Sequence, residues 1–210
     1  MYTYISGPAG LLQALEELPG GDHHGITAIL CHPHPLFGGS MDNKVISSLG
    51  RACEALGVAS VRFNYRGVGE SAGAYGEMEG EVADCRAVID WVLERRPQDK
   101  LWLMGFSFGS YIAARNVEAS PQITQLITVA PSVEHADFNS LPRINCPWLI
   151  VMGEKDEVVP PQSVFSFAEN RAEHPTLVKM PETSHFFHRK LVDLKTILME
   201  YLQRTQDLTK

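Results

Sequence analysis

The chain lacks any apolar run long enough to cross a bilayer, and it begins Met1-Tyr2-Thr3-Tyr4 with neither the basic segment nor the apolar core of a secretory leader. It is also short of positive charge. Lysine and arginine number 18 against 25 acidic residues, a net charge of −7, and no basic cluster stands out, which argues against a nonspecific nucleic-acid surface. Cysteine is sparse. Cys31, Cys53, Cys85 and Cys146 are far apart in apolar segments with no C-x-x-C pair, as expected of reduced thiols rather than staples. No G-x-G-x-x-G succession marks the first buried strand and no Walker lysine–serine pair is present, so Gly67 and Gly69 are read as a tight turn and no nucleotide cofactor is expected. His32 and His34 alternate in an extended segment, point to opposite sides and have no compact third ligand, so no metal is expected either. The reading is a soluble, cytoplasmic protein that works without a cofactor, binds no nucleic acid and no membrane, and has an open oligomeric state, a homodimer included.

What is present is alternation. Tyr2 to Ser6 and Leu11 to Leu18 flank Gly7-Pro8-Ala9-Gly10 and suggest an antiparallel hairpin, although the second segment also fits one or two helical turns. Ile26 to Cys31 is continuously apolar, as a strand buried on both faces requires. The loop His32-Pro33-His34-Pro35-Leu36-Phe37-Gly38-Gly39-Ser40 follows, its two prolines arguing against regular structure, with Ser40 or Asp42 as the cap of a helix over Val45 to Leu56 that stops at Gly57. Further strands are expected at 58–65, 101–106, 125–130, 147–152 and 176–180, with helices near 81–95, 108–116, 161–171 and 189–204 and a fraying end at 205–210. His23 and His24 read as solvent-facing, and Trp91, Trp102 and Trp148 as core. Residues 131–146 leave no room for a lid. The expectation is one α/β domain, 1–210, with a mostly parallel central sheet, helices on both faces and an N-terminal antiparallel hairpin.

One segment carries chemistry by itself. Leu101 to Ala114 reads as a strand, a sharp turn and the start of a helix, with Ser107 at the turn and glycines two residues to either side, Gly105 and Gly109. A serine held in a strained turn presents its hydroxyl at the carboxyl edge of a sheet, and side chains at the flanking positions would block the close approach of strand and helix. Such a serine needs a base and the base needs an orienting acid. Asp156 follows one buried strand and His185 follows the next, in the chain order serine, acid, histidine that this architecture uses; His188 is placed at the start of the last helix, facing solvent. The Phe108 amide is the first expected oxyanion donor. The second is sought in the 32–39 loop, at His34 or Leu36, because Pro33 and Pro35 have no amide hydrogen. His32, Phe37, Gly38, Gly39, Arg66 and Phe106 are candidates for shaping loops or touching substrate, with Arg66 read mainly as a partner for a loop carboxylate. Exposure of Phe37, Phe106, Phe108, Phe186 and Phe187 would signal an apolar acyl pocket.

Taken together, Gly105-Phe106-Ser107-Phe108-Gly109, the segment His32 to Val45 and the segment Phe63-Asn64-Tyr65-Arg66-Gly67-Val68-Gly69-Glu70-Ser71 resemble a small lidless bacterial α/β-hydrolase, related to dienelactone-hydrolase-like and serine-aminopeptidase-like branches. The resemblance covers roughly residues 2–204. It implies the α/β-hydrolase fold, a Ser107–Asp156–His185 triad and an oxyanion contribution from the loop after His32. Dienelactone hydrolases carry cysteine where Ser107 stands, which weakens transfer of their substrate. The expected activity is hydrolysis of a small or exposed ester, with a small-molecule acyl substrate. Thioester, amide or peptide hydrolysis is the alternative, and a non-catalytic ligand-binding or scaffold protein on the same fold is the alternative of a different class.

Overall fold

The computed structural model describes residues 1–21 and 23–206. Eight strands, β1 (Tyr2–Gly7), β2 (Gly10–Glu17), β3 (Ile26–Cys31), β4 (Ala59–Phe63), β5 (Lys100–Phe106), β6 (Ile123–Val129), β7 (Trp148–Gly153) and β8 (Thr176–Met180), form one sheet in the order β1-β2-β4-β3-β5-β6-β7-β8. β1, β2 and β4 are joined by antiparallel pairing, and every pairing from β4 through β3 to β8 is parallel. The hairpin reading of the N-terminus therefore holds. Leu12 and Ala14 of β2 point into the core while their neighbours are more exposed, which is the period-two pattern of a strand. β3, β4 and β7 are buried along their whole length, as strands covered on both faces must be.

Helices α1 (Lys44–Ala55), α2 (Glu79–Arg95), α3 (Phe108–Arg115), α4 (Pro161–Asn170) and α5 (Leu191–Thr205) cover both faces of the sheet, with α1 packed on α5 and α2 on α3. Between β6 and β7 the only regular piece among the described residues is a 3-10 turn, Phe138–Ser140, so no lid stands over the carboxyl edge.

Several local expectations are corrected. The cap of α1 is Asn43, whose Oδ1 accepts the Val45 and Ile46 amides at 2.9 and 3.4 Å; Ser40 and Asp42 lie in the turn before it. The prolines do not exclude regular structure from the 32–40 loop: Pro35–Phe37 is a 3-10 turn, with Pro35 at its first position, where no amide hydrogen is needed. α5 starts at Leu191 rather than beside His188, because Phe187 and Arg189 have φ of 54° and 60° and cannot continue into a helix. His23 is exposed as expected but meets Asp99, with Nε2 3.4 Å from the carboxylate. Of the fraying end, Thr205 closes α5, while 207–210 lie outside the described residues. Trp102 and Trp148 are core; Trp91 is only partly buried, under the Arg95 guanidinium. All four cysteines are free thiols, three buried and Cys146 half-buried.

Candidate active site

Ser107 occupies the turn between β5 and α3 with φ 53° and ψ −117°, a conformation that an L-residue adopts only when its surroundings impose it. The flanking glycines show how. A β-carbon on Gly105 would stand 2.1 Å from the Gly109 carbonyl oxygen, and one on Gly109 would stand 2.0 Å from that of Cys31. Any side chain at either place would drive strand and helix apart. The turn is held from below by the Ser107 amide donating to the Val129 carbonyl at 2.9 Å and by the Ser110 hydroxyl, which reaches the Gly105 and Val129 carbonyls. Phe108 is the first residue of α3, so its N–H has no partner within the helix.

On the far side of β6, the loops after β7 and β8 are locked together. Gly153 lies so close to the Thr183 backbone that a β-carbon would be 2.3 Å from its oxygen, and the Glu154 and Lys155 amides donate to the Met180 and Thr183 carbonyls, each at 3.0 Å. This interlock sets Asp156 against His185. The imidazole Nδ1 is 2.7 Å from Asp156 Oδ2, while Oδ1 accepts the Val158 and Val159 amides, both at 2.8 Å. Both residues are buried, His185 to 3 % exposure. A carboxylate that accepts from Nδ1–H leaves the lone pair of the imidazole on Nε2. The Glu157 carboxylate adds a third tie by accepting the His185 backbone N–H at 3.1 Å. Phe106, beneath Ser107, lies 5.0 Å from the His185 ring, centroid to centroid.

Next to Ser107 is a pocket of about 290 Å³, at the low end of the roughly 300–1,000 Å³ usual for ligand sites. His34, Phe37, Tyr75 and Phe108 form an aromatic wall, with His34 centroids 4.9, 5.2 and 4.7 Å from the other three rings. Met78, Ser132, His135, Ala136, Val158 and Val159 complete it, so that no carboxylate, lysine or arginine lines it among the described residues.

A family model described as serine aminopeptidase, S33, matches residues 37–141. An uncharacterized protein of Rickettsia prowazekii is 30 % identical over 209 residues, covering 95 % of this chain and 87 % of its own length. The chain belongs to this serine hydrolase family. In three dimensions the hydrolase is similar to an α/β serine hydrolase homologue from Coxiella burnetii, at 44 % identity and TM-score 0.92, covering 96 % of this chain and 97 % of that one. It is equally similar to XC6422 of Xanthomonas campestris, an α/β serine hydrolase without a lid, at 44 % identity and TM-score 0.92, covering 97 % and 94 %.

The remaining candidate residues of the hydrolase divide by what they touch. His32 is fully buried; its Nε2 accepts the Tyr65 amide at 3.2 Å, which leaves Nδ1–H to donate to the Pro33 carbonyl at 2.7 Å. It ties the end of β3 to the end of β4, and burial pushes its pKa down to about 3. Gly38 takes φ 78°, and a β-carbon on Gly39 would fall 2.0 Å from the Pro33 oxygen, so both shape the 33–39 loop. In that loop the Leu36 amide donates to His34 Nδ1 at 3.2 Å, and those of Phe37, Gly38 and Gly39 donate to carbonyls. The His34 amide is left without an acceptor among the described residues. Burial also lowers the pKa of the His34 ring. Arg66 lies outside the pocket and forks onto the buried Asp84, with Nη2 2.6 Å from Oδ1, a bond that raises its pKa further.

Of the five phenylalanines expected around the site, Phe37 and Phe186 are exposed, at 86 % and 44 %, whereas Phe106, Phe108 and Phe187 pack the loops, although one edge of Phe108 still reaches the pocket. Sequence reasoning missed Tyr75, Met78, Ser132, His135, Ala136, Val158 and Val159 as pocket residues. Ser132 and His135 follow the carboxyl end of β6, where ligands gather in parallel sheets, and that position was a usable signal. Tyr75 and Met78 lie in an irregular stretch that gave none.

Proposed function

We propose that this serine hydrolase cleaves small, uncharged carboxylic esters by way of an acyl-enzyme on Ser107. His185 takes the serine proton through Nε2 and returns it to the departing alcohol. Asp156 holds Nδ1–H and stabilises the imidazolium that forms. The Phe108 and His34 amides, on two residues that line the pocket with Ser107 and without an acceptor among the described residues, serve the oxyanion; each such donor contributes about 3 kcal/mol to lowering the barrier. Water then attacks the acyl-enzyme with His185 again as base. The observation that supports this most is the 2.7 Å His185–Asp156 contact, with Oδ1 held by two amides so that Oδ2 faces the ring.

The choice of ester over amino-terminal peptide rests on the pocket. Recognition of a free α-ammonium group in a partly dry site needs a counter-charge, and no carboxylate lines this one among the described residues. Thioesters and simple amides fit the same machinery, with amides disfavoured by their poorer leaving group. The four free thiols support action in a reducing, cytoplasmic compartment, and the continuous eight-stranded sheet supports reading 1–210 as one domain.

The test is labelling with a serine-selective organophosphonate, read by intact mass and peptide mapping, alongside turnover of p-nitrophenyl esters by wild type and Ser107→Ala. A single adduct on Ser107 and turnover that disappears in Ser107→Ala are expected. Folded protein with no adduct and no turnover would point instead to a ligand-binding role.

A further inference from the structure

One wall of the pocket is made by a turn that its own sequence disfavours. Glu77 and Met78 are consecutive non-glycine residues with φ of 53° and 74°, and neither gains from that conformation locally. The turn is held by Glu81, in the first turn of α2 and fully buried: Oε1 accepts the Gly76 amide at 2.8 Å and Oε2 accepts the Met78 amide at 2.9 Å. Beneath the turn lies the Arg66–Asp84 pair. A β-carbon on Gly76 would come within 3.1 Å of Arg66 Cδ, and one on Gly80 within 2.8 Å of its Nη1, so the Arg66 side chain fills the space under both glycines. A buried carboxylate and a half-buried ion pair, neither of them lining the pocket, thus fix where Tyr75 and Met78 stand on its wall.

The pocket is also one-sided. It includes Ser107 and the two residues whose amides are proposed to serve the oxyanion, His34 and Phe108, but not His185. The group that protonates the departing alcohol must stand on the alcohol's side, so a cavity that holds the nucleophile and excludes the acid lies on the acyl side. Beyond His185, the ring of Phe186 is 5.1 Å away and exposed, which leaves the alcohol side open.

We infer that the 290 Å³ pocket receives the acyl group, an uncharged chain or ring of modest length, and that Glu81 is a positioning residue that sets the length of that pocket through the 75–78 turn. This rests on the Ser107–Asp156–His185 reading above. Alcohols of different size then compete on nearly equal terms, while acyl groups are sorted by fit.

Two ester series separate the sides: p-nitrophenyl esters from acetyl to octanoyl, and alkyl butyrates from methyl to octyl, whose leaving groups have similar basicity. In wild type, kcat/KM is expected to pass through a clear optimum in the acyl series and to vary far less in the alcohol series. Glu81→Gln keeps the shape of the side chain but only one of its two acceptor oxygens. It is expected to flatten the acyl optimum by about tenfold, mainly through KM, while leaving the alcohol series as it was. A general loss of stability would lower kcat/KM for all esters alike, so thermal melts of each variant accompany the kinetics. Met78→Phe and Met78→Ala test the same wall without touching the buried carboxylate and should move the optimum to shorter and longer acyl groups, respectively. An acyl profile of folded Glu81→Gln that superimposes on wild type, or Met78 variants that shift the alcohol series instead, would overturn the inference. Turnover that survives in Ser107→Ala would remove the serine mechanism and the inference with it, and that failure is recognisable because it concerns Ser107 rather than the acyl profile.

Discussion

At the end of β3 the imidazole of His32 is fully buried between the Pro33 carbonyl and the Tyr65 amide; past β8 the imidazole of His185, nearly as buried, meets the Asp156 carboxylate. The first ring has both nitrogens engaged by neutral groups. Burial outweighs what the Pro33 carbonyl offers a protonated ring, and protonation would cost the hydrogen bond from Tyr65, so its pKa is driven down to about 3. The second has one nitrogen held by an anion and no intramolecular partner for the other among the described residues. Similar burial therefore accompanies a structural tie at one end of the sheet edge and, at the other, the imidazole that the proposed mechanism uses as its base. What separates them is the charge of the nearest acceptor.

Substitution on the His185 side gives the largest expected effects. His185→Ala should lower kcat by about 10⁴-fold or more with the fold retained, and Asp156→Asn by about 10⁴-fold, because an amide no longer selects the tautomer with the proton on Nδ1. Steady-state kinetics beside circular-dichroism melts check both. Should His32→Gln abolish turnover equally, the contrast between the two rings collapses.

On the His32 side the expected effect is on stability and depends on pH. The unfolded imidazole binds a proton below its ordinary pKa of 6.5, while the folded one does not until about 3. The stability contributed by keeping His32 neutral is thus complete above pH 6.5 and is lost as the pH falls through that window, at about 1.4 kcal/mol per unit. Urea unfolding at pH 6.5 and pH 5 should show wild type losing about 2 kcal/mol more than His32→Gln, which has no proton to gain. Equal losses would mean that His32 is not the acid-sensitive group.

The smallest effect is expected at the pocket mouth. Phe37 is 86 % exposed, so Phe37→Ala should change stability by no more than about 0.5 kcal/mol, while raising KM for the longer acyl esters more than for acetyl. A large loss of stability would show that its ring supports the His34 loop rather than the substrate.

The fold was legible because its signals are local. Period-two and continuous apolar runs, each ended by glycine or proline, mark the strands, and Gly105 and Gly109 mark a turn whose geometry tolerates nothing larger. The cap at Asn43 and the late start of α5 were not legible: several polar residues in a row can each serve as a cap, and only the path of the chain selects one. In the site, Ser107 was marked by its glycines and the order of Asp156 and His185 by the strands before them. Tyr75, Met78 and Glu81 carried no mark, because a turn with φ of 53° and 74° at glutamate and methionine is unfavourable until a buried carboxylate from the next helix holds it.

The sequence by itself thus determined the alternation of strands and helices, the elbow and the absence of a lid, since each depends on residues close together in the chain. Only the tertiary structure decided that His32 is tied and His185 paired, that the His34 amide has no acceptor among the described residues while that of Leu36 is engaged, and that Glu81 holds a wall it does not line. The His32–Tyr65 and Asp156–His185 contacts depend on loops far apart in the chain meeting across the sheet edge, whereas the bonds at Leu36 and Glu81 are local ones that the residue types alone do not signal.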